Sequence, residues 1–175
     1  KQIDTRKLMF EYSWIDYRTA ASRFSREQGQ IDRSVFIKKD IINVYPDTLA
    51  WVHDFTYSYN EPLTNTYFWH PAYDDYPLVG ISWKQARAFS IWRTELLNNY
   101  LRGGGFSAVQ HFRLPTESEW EWAARGGLDN NQFPWGGPYI RNTAGCFLGN
   151  FKPLRGNYVD DGGLNTVKVY SYNPN

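Results

Sequence analysis

Three carboxylates and two indoles crowd one short stretch, "TESEWEWAAR" (Thr116 to Arg125), in which Glu117, Glu119 and Glu121 lie beside Trp120 and Trp122. Paired carboxylates at such spacing are the raw material of general acid–base catalysis. The same residues also obey a structural grammar. Thr116 is placed as a helix N-cap with Glu119 three residues on, a capping box, and Pro115 restrains the chain as it enters. Each Glu in the first turn gains about 0.3–1 kcal/mol from the positive end of the helix dipole. Trp120, Ala123 and Ala124 are expected to form the buried face, Gly126 and Gly127 to end the helix, and Arg113 and Arg125 to pair with the Glu residues. Capping, dipole and packing account for the cluster, so no catalytic residue is assigned to it.

The other reactive side chains are sparse. Cys146 is the only cysteine, which excludes an internal disulfide and a multi-thiolate metal site. Within "AGCFL" it is expected to be a buried, inert thiol. His53, His70 and His111 lack metal-ligand spacing and are assigned to hydrogen bonding. Nineteen Lys and Arg against 18 Asp and Glu leave a net charge of +1, so no global field argues for nucleic acid or an anionic membrane. No apolar run of about 18 residues could span a bilayer, and no leader-like opening is present. The opening "KQIDTRKLMF" reads like mid-protein sequence, and the 175 residues suit one domain or part of one.

Eighteen per cent of the chain is aromatic, so rings carry most of its apolar burial and recognition potential. Lys7 to Phe24 places Leu8, Tyr12, Ile15 and Ala20 near one stripe and predicts a helix. "VFIKKDIINVY" offers β-branched runs and predicts strand. Pro46 to Pro77, with four Pro and no sustained period, is expected to be an ordered loop with a short strand or two. Leu78 to Ile81 reads as a short strand. Ser82 with Gln85 then forms a second capping box, and Ala86, Phe89, Trp92, Leu96 and Tyr100 recur at helical spacing until Gly103 to Gly105. After Gly127, Gly, Pro and Asn punctuation predicts coil with short strands.

Three blocks in register, "YPLVGISWKQARAFSIW", "FRLPTESEWEWAARGG" and "FPWGG", followed by "GNF" and a Gly/Asp-rich loop, strongly resemble the formylglycine-generating-enzyme (sulfatase-modifying factor) family. The resemblance covers about Tyr76 to Asn175. It implies an α+β, formylglycine-generating-enzyme-like fold related to C-type lectins, with two main helices, small twisted sheets and much ordered coil. Residues 1–175 are expected to form a single, incomplete domain: 1–75 are branch-specific, and 76–175 carry the family motifs. Ser82, Gln85, Arg113, Thr116, Glu119, Trp120 and Arg125 are its framework. The family's "GGxFxMG" opening and its "GLYDMxGNVWEW" block have no counterpart in the chain. The enzymes' copper-binding cysteine pair belongs to that second region, so no copper is expected from these residues. The family's calcium pattern maps onto Asn150, Phe151, Asp161 and Gly163, and six to eight hard oxygen ligands suit that ion.

The flanking segments resemble one branch of the family, the GldK/PorK lipoproteins of gliding motility and type IX secretion, with GldJ as a sister. That branch implies the periplasmic face of the bacterial outer membrane, a lipid anchor upstream of Lys1, self-association into a ring, and a GldN/PorN-type partner. The expected role is therefore a non-enzymatic structural subunit. Trp51, Phe55, Tyr57, Tyr59, Tyr67 and Trp69 are its candidate partner interface, since exposed aromatics dominate interface energetics. Two alternatives stay open: a copper-dependent oxidase converting a substrate cysteine to formylglycine, and a lectin-like carbohydrate-binding module.

Overall fold

In chain order the elements are strand β1 (Met9–Ile15), helices α1 (Tyr17–Ala20) and α2 (Arg23–Glu27), strand β2 (Ile37–Asn43), and helices α3 (Ala50–Asp54), α4 (Pro62–Thr66), α5 (Trp83–Gly103) and α6 (Glu117–Arg125). Single 3-10 turns lie at Thr5–Lys7, Arg33–Phe36 and Pro71–Tyr73. The computed structural model describes residues 3–27, 32–58, 60–152, 156–157, 159 and 163–174. Contacts divide the chain into two compact units, each built from two segments: Lys1–Pro46 with Ile81–Leu114, and Asp47–Gly80 with Pro115–Asn175.

The first unit is a helix on a two-stranded antiparallel sheet. β1 pairs with β2 from Met9 opposite Asn43 to Ile15 opposite Ile37. Of the helix expected over Lys7 to Phe24, only Tyr17–Ala20 and the start of Arg23–Glu27 are helical, and Met9–Ile15 is strand because the working period there is two. Phe10, Tyr12 and Trp14 turn inward, with Tyr12 only 3% exposed, while Met9, Glu11, Ser13 and Ile15 turn outward. Cross-strand contacts fix the register: Trp14 Nε1 donates to Asp40 Oδ2 at 2.7 Å, and Lys39 Nζ meets Glu11 Oε1 at 3.3 Å. Asp16 then ends the strand by capping α1, its Oδ1 accepting from Thr19 N at 3.1 Å.

α5 is tied to this sheet by its own cap. Ser82 and Gln85 form the expected capping box, and Gln85 Nε2 also donates to the carbonyls of Asn43 and Tyr45 at 3.1 and 2.9 Å. Arg87 lies over the Trp14 ring, 4.4 Å from its centroid. The buried residues of α5 are not those of its aromatic stripe. Ala88, Thr94 and Asn98 are buried, whereas Phe89, Trp92, Leu96 and Tyr100 are exposed. Polar groups win the inner face because they satisfy the returning chain. Asn98 Oδ1 accepts from Val109 N at 2.8 Å, and Thr94 Oγ1 accepts from Phe112 N at 2.9 Å.

The second unit holds α3, α4 and α6. Leu78 to Ile81 is irregular rather than a strand, and Gly80 explains part of this. Its φ is +71°, and a Cβ there would lie 2.2 Å from the carbonyl oxygen of Asp47, whose own N–H donates to Gly80 O. Pro46 to Pro77 contains α3, α4 and one 3-10 turn, with no strand among the described residues. Beyond Gly127 the described residues contain only an isolated bridge between Arg141 and Phe147. α6 has both halves of its capping box and ends at Gly126 in the left-handed conformation, φ 56°. Its expected buried face is absent: Trp120 is 65% exposed and Ala123 is exposed, because no described element packs over them.

Candidate functional site

The Pro46 to Pro77 segment is an aromatic knot with an inner and an outer set of rings. Trp51 on α3 stacks on Phe55 at 5.8 Å and meets Tyr67 edge-on at 5.3 Å. Tyr67 in turn contacts Tyr73 and Tyr76 at 5.1 and 6.2 Å, and its hydroxyl donates to Pro77 O at 2.5 Å. Burial holds the Tyr67 hydroxyl above the ordinary tyrosine range. Trp51 and Tyr67 are 7% and 6% exposed, so they form the local core and leave the expected interface set. The buried Trp51 indole N–H has no hydrogen-bond partner among the described residues.

The outer set is displayed on that core. Phe55, Tyr57 and Trp69 are 41%, 101% and 64% exposed. Tyr59 lies outside the described residues. Phe55 follows the last turn of α3, its N–H bonded to Trp51 O at 2.9 Å, and Trp69 N–H bonds Thr66 O at 3.0 Å after α4. Phe55 and Trp69 thus each sit one helical turn from a fixed backbone, which lowers the conformational entropy lost on binding.

The acidic helix carries capping chemistry. Glu119 Oε2 accepts from Thr116 N at 2.8 Å, and Glu121 pairs with Arg125 at 2.8 Å. Arg113 Nη1 donates to Leu114 O at 3.2 Å. Exposed carboxylates in these roles are structural.

Cys146 is exposed, correcting the expectation of a buried thiol. Its backbone N–H is held by Asn142 Oδ1 at 2.9 Å, a turn that presents the residue at the surface. It borders a cleft of about 350 Å³ with Tyr76, Lys168 and Ser171. Lys168 cannot serve it as a base, since its ion pair with Asp75 at 2.7 Å raises the ammonium pKa and keeps it protonated. The histidines are dispersed: His53 Nδ1 faces Asp47 Oδ2 at 3.4 Å, and His70 Nδ1 accepts from Ala72 N at 3.1 Å. Among the described residues no three His, Cys, Asp or Glu side chains gather as a metal site.

Two ions follow from the sequence resemblance, and their fit differs. Asn150 Nδ2 donates to Asn165 O at 2.7 Å, which leaves Oδ1 as an acceptor, and a Cβ on Gly163 would lie 3.1 Å from that oxygen. Asn150 Oδ1 and Gly163 are therefore close together, with Phe151 next in sequence, and an amide oxygen is a donor of the kind calcium takes. Asp161 lies outside the described residues. Copper does not fit: Cu(I) selects soft sulfur ligands, and the chain has one cysteine.

The sequence pattern of the sulfatase-modifying factor enzyme 1-like domain matches residues 36–175, so the similarity begins well before the motif blocks. The inactive C-alpha-formylglycine-generating enzyme 2 of Bos taurus is 35% identical over 98 residues, 55% of this chain and 26% of that protein. The formylglycine-generating enzyme of Streptomyces coelicolor is 36% identical over 104 residues, 58% of this chain and 27% of that protein. The Bos taurus formylglycine-generating enzyme is 35% identical over 104 residues, 58% and 23% of the two chains. The chain thus spans about a quarter of the length of the curated relatives it matches. No solved structure matches. These relatives overturn the expectation of a non-enzyme: proteins about a third identical carry an enzyme's name, some of them marked inactive, so the family is an enzymatic one.

Proposed function

Because this chain belongs to the sulfatase-modifying factor enzyme 1-like domain family and has its α+β fold, we propose that it uses that framework for recognition, as a subunit of the type IX secretion and gliding-motility machinery. It assembles with copies of itself and with a GldN/PorN-type partner at the periplasmic face of the outer membrane, in the manner of the GldK/PorK branch that its flanking segments resemble. The observation that carries this reading is the outer aromatic set, Phe55, Tyr57 and Trp69, exposed on the same segment whose Trp51 and Tyr67 are buried against each other. Large exposed rings on a rigid base are the composition of an interface hot spot. Calcium held by Asn150, Phe151, Asp161 and Gly163 would stiffen the neighbouring loop. A calcium-dependent rise in Tm that disappears in Asn150→Ala tests that part, and an unchanged Tm discards it.

Titration calorimetry of the intact protein with the partner tests the reading. Alanine at Phe55, Tyr57 and Trp69 together is expected to weaken binding at least about 30-fold, about 2 kcal/mol, with little change in Tm. Unchanged affinity rejects the role assigned to these rings.

The names of the relatives favour a second reading, formation of formylglycine by the whole protein. A cysteine-containing peptide incubated with the intact protein would then gain an aldehyde detectable by hydrazide labelling, and no aldehyde rejects it. Within this chain the same residues would act as framework, since Cys146 supplies only one thiol.

A further inference from the structure

The two units carry opposite charge. The first holds 14 Lys and Arg against seven Asp and Glu, a net +7, and the second holds five against 11, a net −6, which together give the chain's +1. Each unit also exposes an aromatic helix of its own sign. On α5 the stripe Phe89, Trp92, Leu96 and Tyr100 is 60%, 43%, 46% and 77% exposed, with exposed Arg93 beside it. On α6, Trp120 is 65% exposed with exposed Glu117 one turn before it on the same side, while Trp122, 75% exposed, lies nearly opposite. Among the described residues neither Arg93 nor Glu117 enters an ion pair.

We propose that a second copy of this chain covers these surfaces, the basic aromatic face of α5 on one copy receiving the acidic aromatic face of α6 on the next. Apolar rings supply the centre of the contact, and Arg93 against Glu117 supplies orientation and rate. The alternative of α5 against α5 about a two-fold axis would bring one Arg93 flank onto the other, and like charges facing each other across an interface are costly. The contact joins two different patches, so it is heterologous: repetition closes a ring or extends a filament. This deepens the self-association proposed above by naming its faces, and it does not require the secretion assignment.

Sedimentation velocity of the intact protein tests it. Concentration-dependent association is expected at about 50 mM salt, with dissociation toward monomer at about 500 mM, where charges are screened beyond a few ångströms. Arg93→Glu and Glu117→Lys, both at exposed positions, are each expected to weaken association at least about tenfold, Arg93→Glu with Tm unchanged and Glu117→Lys with only the small drop that follows from losing its helix-dipole contribution. Mixing the two variants is the decisive arm. The exchanged charges are complementary, Arg93 facing Glu117 at one contact and the introduced carboxylate facing the introduced ammonium at the next, so the mixture is expected to associate as the parent does while neither variant does so alone. A monomer at every concentration and salt, variants that associate like the parent, or a mixture no more associated than its parts would each overturn the proposal. Loss of partner binding on removal of the outer rings, with this association intact, would reject the secretion reading alone.

Discussion

Helices α5 and α6 start the same way and end in opposite relations to the interior. Both open on a complete capping box, Ser82 with Gln85 and Thr116 with Glu119. α5 buries Ala88, Thr94 and Asn98, whereas α6 buries no residue. A cap is chemistry between residues three apart and is settled locally. Burial is settled by whatever packs on the helix, and on α5 the packing chain is held by side-chain hydrogen bonds rather than by apolar contact alone.

The strongest way to break this contrast is to strip the buried polar groups of α5. Asn98→Ala leaves the Val109 N–H without its 2.8 Å acceptor and is expected to cost about 2–3 kcal/mol in urea unfolding. Trp120→Ala on α6 removes a far larger side chain and is expected to cost no more than about 0.5 kcal/mol. Equal costs would mean that α6 is packed as tightly as α5.

The caps themselves separate next. Gln85 accepts from Ser82 N at 2.7 Å while donating to the Asn43 and Tyr45 carbonyls, and Glu119 has only an acceptor's task at Thr116. Gln85→Glu therefore turns a carboxylate toward two carbonyl oxygens and is expected to cost about 1–3 kcal/mol. Glu119→Gln keeps the cap and should change stability by less than about 0.5 kcal/mol. Similar effects from the two exchanges, measured by the same unfolding curves, would show that Gln85 does no more than cap.

The smallest effect is alkaline. Burial raises the folded-state pKa of Tyr12 in the first unit and Tyr67 in the second above the ordinary tyrosine value of 10.0. Below pH 10 both states keep these protons, and above it the unfolded chain loses them first, so stability falls as pH rises through the folded values. Tyr67→Phe is expected to flatten that decline for the second unit, and Tyr12→Phe for the first. An unaltered slope in either variant would remove that tyrosine from the account.

What could be read in advance follows the same division between local and distant causes. Both capping boxes, the extent of α5 and the strand over Ile37–Asn43 were legible, because each rests on neighbours or on a short β-branched run. β1 was hidden, since Leu8, Tyr12 and Ile15 fit a helical stripe as well as an alternating strand. Its decisive partner lies some 26 residues further on, where Trp14 meets Asp40. The stripe on α5 was found, but polarity does not reveal that Thr94 and Asn98 on another side would be drawn inward by the backbone of Val109 and Phe112. Within the aromatic segment, residue type cannot sort Trp51 and Tyr67 from Phe55, Tyr57 and Trp69; the geometry of α3 and α4 does so. The nearness of Asn150 to Gly163 was carried by the family motif alone.

The claim that the outer rings are a recognition surface is tested most directly by amide hydrogen exchange on the intact protein, alone and with a GldN/PorN-type partner. Slower exchange on binding is expected at residues 55–58 and 68–70. Exchange there that is the same with and without a saturating partner would contradict the account.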